Sequence, residues 1–78
     1  MTLTPVQCKM ARVGTSLSRA KLAELSGVSA ATLADFEAGG REPYERTIRE
    51  FRQALEQLGA IFLPPTEKGP GVRISGNK

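Results

Sequence analysis

The sequence predicts a mainly α fold in which four helices precede two short β-strands. Residues suited to helix N-caps stand before four segments with helical apolar spacing: Thr4, Ser18, Ser29 and Thr47. Gly27 and Gly59 stand where helices are expected to end. Beyond Gly59, two β-prone runs flank the turn-rich segment PPTEKGPG. The length of 78 residues allows one domain with a small core.

The first helix is expected to begin after Thr4 and to run to about Gly14. Thr4-Pro5-Val6-Gln7 has the form of a capping box, with proline in the first helical position, where no N–H group is needed. Cys8 falls among apolar positions of this helix. Because it is the single cysteine of the chain, we interpret it as a small buried side chain rather than a redox sensor.

The next two helices are short and are joined by a tight turn at Gly27-Val28. Glycine allows the chain to leave a helix through a left-handed residue at little cost. The predicted apolar face of the first of these helices is Leu17, Ala20, Leu22, Ala23 and Leu25. The second is expected to direct inward Val28, Phe36 and either Thr32 or Leu33. Its opposite face is nearly bare of large side chains, so this helix can approach a groove closely: Ser29, Ala30, Ala31, Ala34 and Asp35.

The fourth helix and the strands follow a loop that is predicted by the glycines and proline of residues 39–43. Thr47-x-x-Glu50 has the form of a second capping box. The apolar positions of the helix that follows are expected in the core: Ile48, Phe51, Leu55 and Leu58. The runs 60–63 and 72–74 predict either a hairpin with a loop of about eight residues or two strands that pair elsewhere.

The motif in the middle of the chain resembles the helix-turn-helix of the phage-repressor-like (XRE, Cro-like) family of bacterial DNA-binding proteins. The resemblance covers roughly residues 3 to 58, and it is carried by these residues: Ser18, Leu22-Ala23, Gly27-Val28-Ser29, Thr32-Leu33, Phe36-Glu37 and Gly39. It implies a four-helix phage-repressor-like domain. It also implies a buried ion pair, because an arginine late in helix 1 of this family commonly pairs with the glutamate that ends the recognition helix; the matching residues are Arg12 and Glu37.

The resemblance places the face that begins at Ser29 in the major groove of double-stranded DNA. Arg19 and Ser29 are then expected to approach base edges, with the methyl groups of Ala30 and Ala31 against thymine methyls. Residues that correspond to the family's backbone-contacting positions are expected to hold phosphates: Ser18, Lys21, Thr32 and Arg41.

Two of these assignments have alternatives. Arg19 and Lys21 can instead be solvated residues in the first turn of their helix. Asp35 lies on the face directed toward DNA, where a carboxylate repels phosphates. It can accept a hydrogen bond from cytosine N4, suppress non-specific binding, or point to solvent or pair with Arg41.

Composition narrows the classes of function. The net charge of +3 favours a polyanionic partner only weakly, because residues 18–45 contain three basic and five acidic side chains. There is no histidine, no phosphate-binding glycine motif and no metal-ligand cluster, so we expect neither an enzyme nor a metal or other cofactor. No run approaches membrane-spanning length. We therefore expect a cytoplasmic protein that does not associate with membranes.

Two classes of function remain. The first is a sequence-specific transcriptional regulator, a repressor that binds an inverted-repeat operator as a homodimer and has no small-molecule effector. The alternative is an antitoxin or antiactivator, in which the helix-turn-helix is mainly a scaffold and the C-terminal segment captures a protein partner. Ala30 and Ala31 offer only methyl groups where a base-reading helix typically offers Gln, Arg or Asn, and this favours the alternative.

The C-terminal segment is expected to make the dimer. We divide the chain into a DNA-binding domain, 1–59, and a dimerisation segment, 60–78. A small helical core is not expected to cover the apolar side chains of both strands: Ile61, Phe62, Leu63, Val72 and Ile74. A ribbon shared between two subunits would cover them. The competing interpretation is a hairpin that folds back on helix 4 of the same subunit, with dimerisation through helix 4.

Overall fold

The computed structural model describes residues 3–40 and 42–75, which form four helices and one antiparallel pair of strands. In chain order these are α1 (Pro5–Gly14), α2 (Arg19–Ser26), α3 (Ala30–Glu37), α4 (Glu45–Gln57), β1 (Ala60–Thr66) and β2 (Gly69–Ile74). The predicted mainly α fold is confirmed. Among the described residues, none of the helices combines the length and the apolar character that a membrane crossing requires.

The caps predicted for the first three helices are confirmed. The Thr4 hydroxyl accepts a hydrogen bond from the backbone N–H of Gln7 at 3.2 Å, and Gln7 Oε1 accepts one from the backbone N–H of Thr4 at 3.1 Å. Ser18 and Ser29 each accept from the backbone N–H three residues further on, at 3.0 and 3.2 Å. Gly27 ends α2 in the left-handed region, with φ of 77°. Local chemistry therefore fixes where α1, α2 and α3 begin and where the tight turn lies.

The predicted start of the fourth helix is wrong. Helix α4 begins at Glu45 after Tyr44, whose side chain makes no capping hydrogen bond, so Thr47 lies inside the first turn and cannot be a cap. Pro43 keeps only the residue before it out of the helical region, and nothing prevents a helix from starting two residues after it. Glu45 then places a carboxylate in the first turn, where the helix dipole favours negative charge.

The core lies where the four helices and the hairpin meet. Its largest fully buried side chains are Leu3, Cys8, Leu22, Leu33, Phe36, Ile48, Phe51 and Leu55. The rings of Phe36 and Phe51 stack with their centroids 5.8 Å apart and join α3 to α4. Three positions expected to be apolar and inward are exposed instead: Ala20, Leu25 and Leu58. Ala20 and Leu25 belong to α2, and Leu58 is the C-cap residue that follows α4. Apolar spacing alone does not distinguish core from surface at such positions.

The hairpin is longer than predicted and pairs within the chain. Ala60 pairs with Ile74 and Thr66 with Gly69, so a two-residue turn replaces the expected eight-residue loop. The register shifts between Leu63 and Thr66, where two prolines lack the N–H groups that a regular ladder requires.

A glutamine of α1 and a glycine after α4 help to hold the hairpin against the helices. Gln7 Nε2 donates to the backbone oxygens of Leu63 and Gly71 at 3.3 and 3.0 Å, so the residue that closes the capping box also holds both strands. Gly59, with φ of 102°, joins α4 to β1, and a Cβ there would lie 2.6 Å from the Ser75 oxygen. Only glycine fits this junction.

Candidate nucleic-acid interface

The outer face of α3 consists of small side chains. Ser29, Ala30, Ala31 and Asp35 are exposed, and Ala34 is half-buried. On the inner side Leu33 and Phe36 are fully buried, which settles the inward position in favour of Leu33 over Thr32. The helix is therefore anchored by its apolar side and presents an outer surface without long side chains.

A hydrogen bond joins the hydroxyl groups of Ser29 and Thr32 at the start of α3. The Ser29 hydroxyl accepts from the Thr32 backbone N–H and donates to Thr32 Oγ1 at 2.9 Å. The proton of Ser29 is thus used within the protein. The hydroxyl of Thr32 donates no hydrogen bond to the described residues, so its proton can serve an acceptor such as a phosphate oxygen. This geometry suits Thr32 to the phosphate contact expected for it.

A buried carboxylate at the end of α3 brings two arginines together. Arg12 donates from Nε to Glu37 Oε2 at 2.7 Å and from Nη2 to Oε1 at 3.1 Å, and Arg19 donates from Nε to Oε1 at 3.2 Å. The Glu37 side chain is 2% exposed, against 10% for Arg12 and 47% for Arg19. Arg12 Nη1 also donates to the Leu17 oxygen at 2.9 Å, and the Cys8 thiol lies 3.8 Å from Oε2. We call these five residues the Glu37 cluster.

The electrostatics of the cluster keep Arg12 charged and Cys8 neutral. The hydrogen bonds to Glu37 raise the pKa of Arg12 above its ordinary value. Burial, reinforced by the negative charge of Glu37, raises the pKa of Cys8 from 9.0 to about 12. Cys8 is fully buried, as the interpretation of it as a small buried side chain requires.

Cys8 is expected to be unreactive in the folded protein. At pH 8, alkylation by iodoacetamide should be far slower in buffer than in denaturant, because burial excludes the reagent and suppresses the thiolate. Since folding raises this pKa, the stabilising contribution of the neutral thiol is complete below pH 9.0 and is lost as the pH rises toward 12. Equal alkylation rates with and without denaturant would contradict the assignment.

The remaining predicted contact residues that the structure describes are Ser18, Lys21 and Asp35. Ser18 is exposed at the start of α2, and Lys21 pairs with Glu24 at 3.5 Å across exposed side chains. Asp35 forms no ion pair within residues 3–40 and 42–75. Arg41, and with it the pairing of Asp35 and Arg41, lies outside the described residues.

Tyr44 is a further candidate for contact with DNA that the sequence did not predict. Its side chain is 86% exposed, and it borders an open groove of about 540 Å³ beside the start of α3. The residues that line this groove are Val28, Thr32, Glu42, Pro43, Tyr44 and Thr47. A tyrosine can donate its phenolic proton to a phosphate oxygen. Its position next to a proline, between the loop and a charged helix, was the available sequence signal.

The strand residues predicted for dimerisation lie on two different faces of the hairpin. Phe62, Val72 and Ile74 pack against the core of the same chain, so part of the apolar surface expected to need a second subunit is already covered. Ile61 and Leu63 alternate with them; Ile61 is 42% exposed and Leu63 is half-buried.

Comparison with known proteins agrees with this architecture. A family model described as Helix-turn-helix matches residues 9–58, which are 50 of the 78 residues. No curated protein matches the chain significantly. The matched segment begins within α1, contains both helices of the motif and ends directly after α4. The chain therefore belongs to the XRE-type helix-turn-helix family of DNA-binding proteins, the family that its motif resembles.

Proposed function

We propose that this protein is a sequence-specific transcriptional repressor that binds an inverted-repeat operator as a homodimer in the cytoplasm, without a small-molecule effector. The observation that carries the proposal is the exposed outer face of α3, which has only small side chains. On the opposite side of the helix, the buried Leu33 and Phe36 hold α3 against the core. Such a helix fits the major groove, which is about 12 Å wide.

The chemistry of the surface supports readout by methyl groups together with one arginine. Ala30 and Ala31 can contact thymine methyls, while Arg19 can bond guanine O6 and N7. Ser29 retains acceptor capacity for a base-edge donor, and Asp35 can accept from cytosine N4. We assign contacts with DNA phosphates to Ser18, Lys21, Thr32 and Arg41, and we add Tyr44 to this set.

Selection of duplexes from a random library by the purified protein tests this function. We expect enrichment of an inverted repeat with half-sites about one helical turn apart, about 34 Å. If no duplex is enriched, or if the enriched sites are unrelated to one another, sequence-specific binding is wrong.

Arg19→Ala is expected to weaken binding to the selected duplex by about 1–3 kcal/mol and to weaken binding to mismatched duplexes less. Lys21→Ala is the matched control, because it removes a neighbouring positive charge that is assigned to phosphate. It should weaken binding equally on all sequences and lower the slope of log K against log salt by about 1. Equal losses on all duplexes for Arg19→Ala would make Arg19 a phosphate contact.

Dimerisation is proposed to use the outer face of the C-terminal hairpin, around Ile61 and Leu63. Truncation after Gly59 cannot test this, because Phe62, Val72 and Ile74 cover the core of their own chain. We expect Ile61→Lys to yield monomers in sedimentation and to weaken binding to the inverted repeat. Val13→Lys is the control, since Val13 is an apolar side chain of α1 that is 59% exposed. A dimer that persists in Ile61→Lys contradicts this surface and favours helix α4.

The second candidate function is an antitoxin or antiactivator. It is favoured by the absence of Gln, Arg or Asn from the outer face of α3 between Ser29 and Asp35. A gel shift with the upstream region of the protein's own gene, with and without the product of the neighbouring gene, distinguishes the candidates. A repressor shifts this DNA alone, whereas an interaction module requires its partner.

A further inference from the structure

The guanidinium group of Arg19 is held in place through its Nε atom. Nε donates to Glu37 Oε1 at 3.2 Å, and Nη1 and Nη2 make no hydrogen bond within residues 3–40 and 42–75. We propose that Glu37 is a positioning residue for DNA recognition: its buried carboxylate holds Arg19 by Nε, which leaves the Nη1–Nη2 edge for the DNA. This inference rests on the proposed DNA-binding function. The free edge is the fork that bonds guanine or phosphate with two parallel hydrogen bonds.

The carboxylate is a rigid anchor because other groups hold it. Arg12 contributes two hydrogen bonds to Glu37, and its third bond, to the Leu17 oxygen, fixes the chain two residues before Arg19. With 2% of its side chain exposed, Glu37 has little freedom to turn. The contacts therefore join α1, the start of α2 and the end of α3. They fix the position of Arg19 relative to α3.

The charges of the cluster explain why two arginines share one carboxylate. Glu37 and Arg12 neutralise each other, so the positive charge of Arg19 is retained for the nucleic acid. If Arg12 were absent, Glu37 would cancel the charge of Arg19, and the pair would attract DNA no better than a neutral side chain. Arg12 thus allows Glu37 to orient Arg19 without neutralising it.

The neighbouring pair of Lys21 and Glu24 lacks these properties. Its separation is 3.5 Å, and the two side chains are 55% and 72% exposed. A single ammonium group on a flexible stem gains little orientation from such a partner. Glu24→Met is therefore a matched control for Glu37→Met, since it removes an α2 carboxylate that orients nothing needed for base recognition.

The test is a double-mutant cycle measured as affinity for the duplex that the wild-type protein selects. Arg19→Ala should weaken binding about tenfold in the wild-type and Glu24→Met backgrounds, and less than about twofold in the Glu37→Met background, where no side-chain oxygen remains to accept from Arg19 Nε. A residue that only stabilises the fold would leave the tenfold effect unchanged. An equal loss in all three backgrounds, with binding otherwise intact, overturns the positioning role and leaves the proposed function standing.

A second measurement uses the wild-type protein, so that the inference can be tested even if Glu37→Met does not fold. The Nε–H resonance of Arg19, identified by its absence in Arg19→Lys, should exchange slowly with water and keep its chemical shift when the selected duplex is added. Loss of that resonance on DNA binding means that Arg19 leaves Glu37, which overturns the inference. Failure to select any duplex overturns the proposed function itself, and the inference with it.

Discussion

Replacement of Arg12 by methionine is expected to lower the free energy of unfolding by about 3–5 kcal/mol, because it leaves a buried carboxylate without its main partner. Glu37 loses two hydrogen bonds and keeps those from the half-exposed Arg19 and, at 3.8 Å, from the Cys8 thiol. Since domains of this kind are stable by about 5–15 kcal/mol, the variant should be near the limit of folding. Urea denaturation followed by circular dichroism measures the change.

Two variants separate this effect from a general intolerance of substitution. Arg12→Met combined with Glu37→Met removes both charges, and it should be less destabilised than Arg12→Met alone because no buried charge remains unpaired. Lys21→Met removes one partner of an exposed pair and should cost about 0–1 kcal/mol. If Arg12→Met is no more destabilising than Lys21→Met, the ion pair does not carry the stability assigned to it.

The parts of the fold that the sequence predicted are those decided within a few residues. The capping box at Thr4, the caps Ser18 and Ser29, and the left-handed Gly27 each depend on contacts over three or four positions. The start of α4 was missed because Thr47 has the same local pattern as a cap, while Tyr44 caps without using its side chain. A helix that begins without a side-chain hydrogen bond, as α4 does after Tyr44, has no N-cap residue type by which the sequence could reveal its start.

The candidate site was predicted less completely, because it depends on how the helices cross. Arg12 and Glu37 were paired through resemblance to a family, and the structure brings them together. Spacing gave no indication that Arg19 shares the same carboxylate, since Arg19 and Glu37 are 18 positions apart and the contact exists only once α2 and α3 are packed. Tyr44 was missed for the same reason, as its groove forms between α3 and α4.

Phe36→Ala is expected to lower the free energy of unfolding by about 3–5 kcal/mol, because it leaves a cavity where Phe36 stacks on Phe51. The stacked rings join α3 to α4, and Phe36 directly precedes Glu37, so the loss should also reduce hydrogen-exchange protection of α3 more than that of α1. Leu25→Ala is the control: Leu25 is 48% exposed, and its truncation should cost much less. Equal costs for the two variants, or protection lost uniformly over the helices, would contradict the role of this contact in holding α3 against the core.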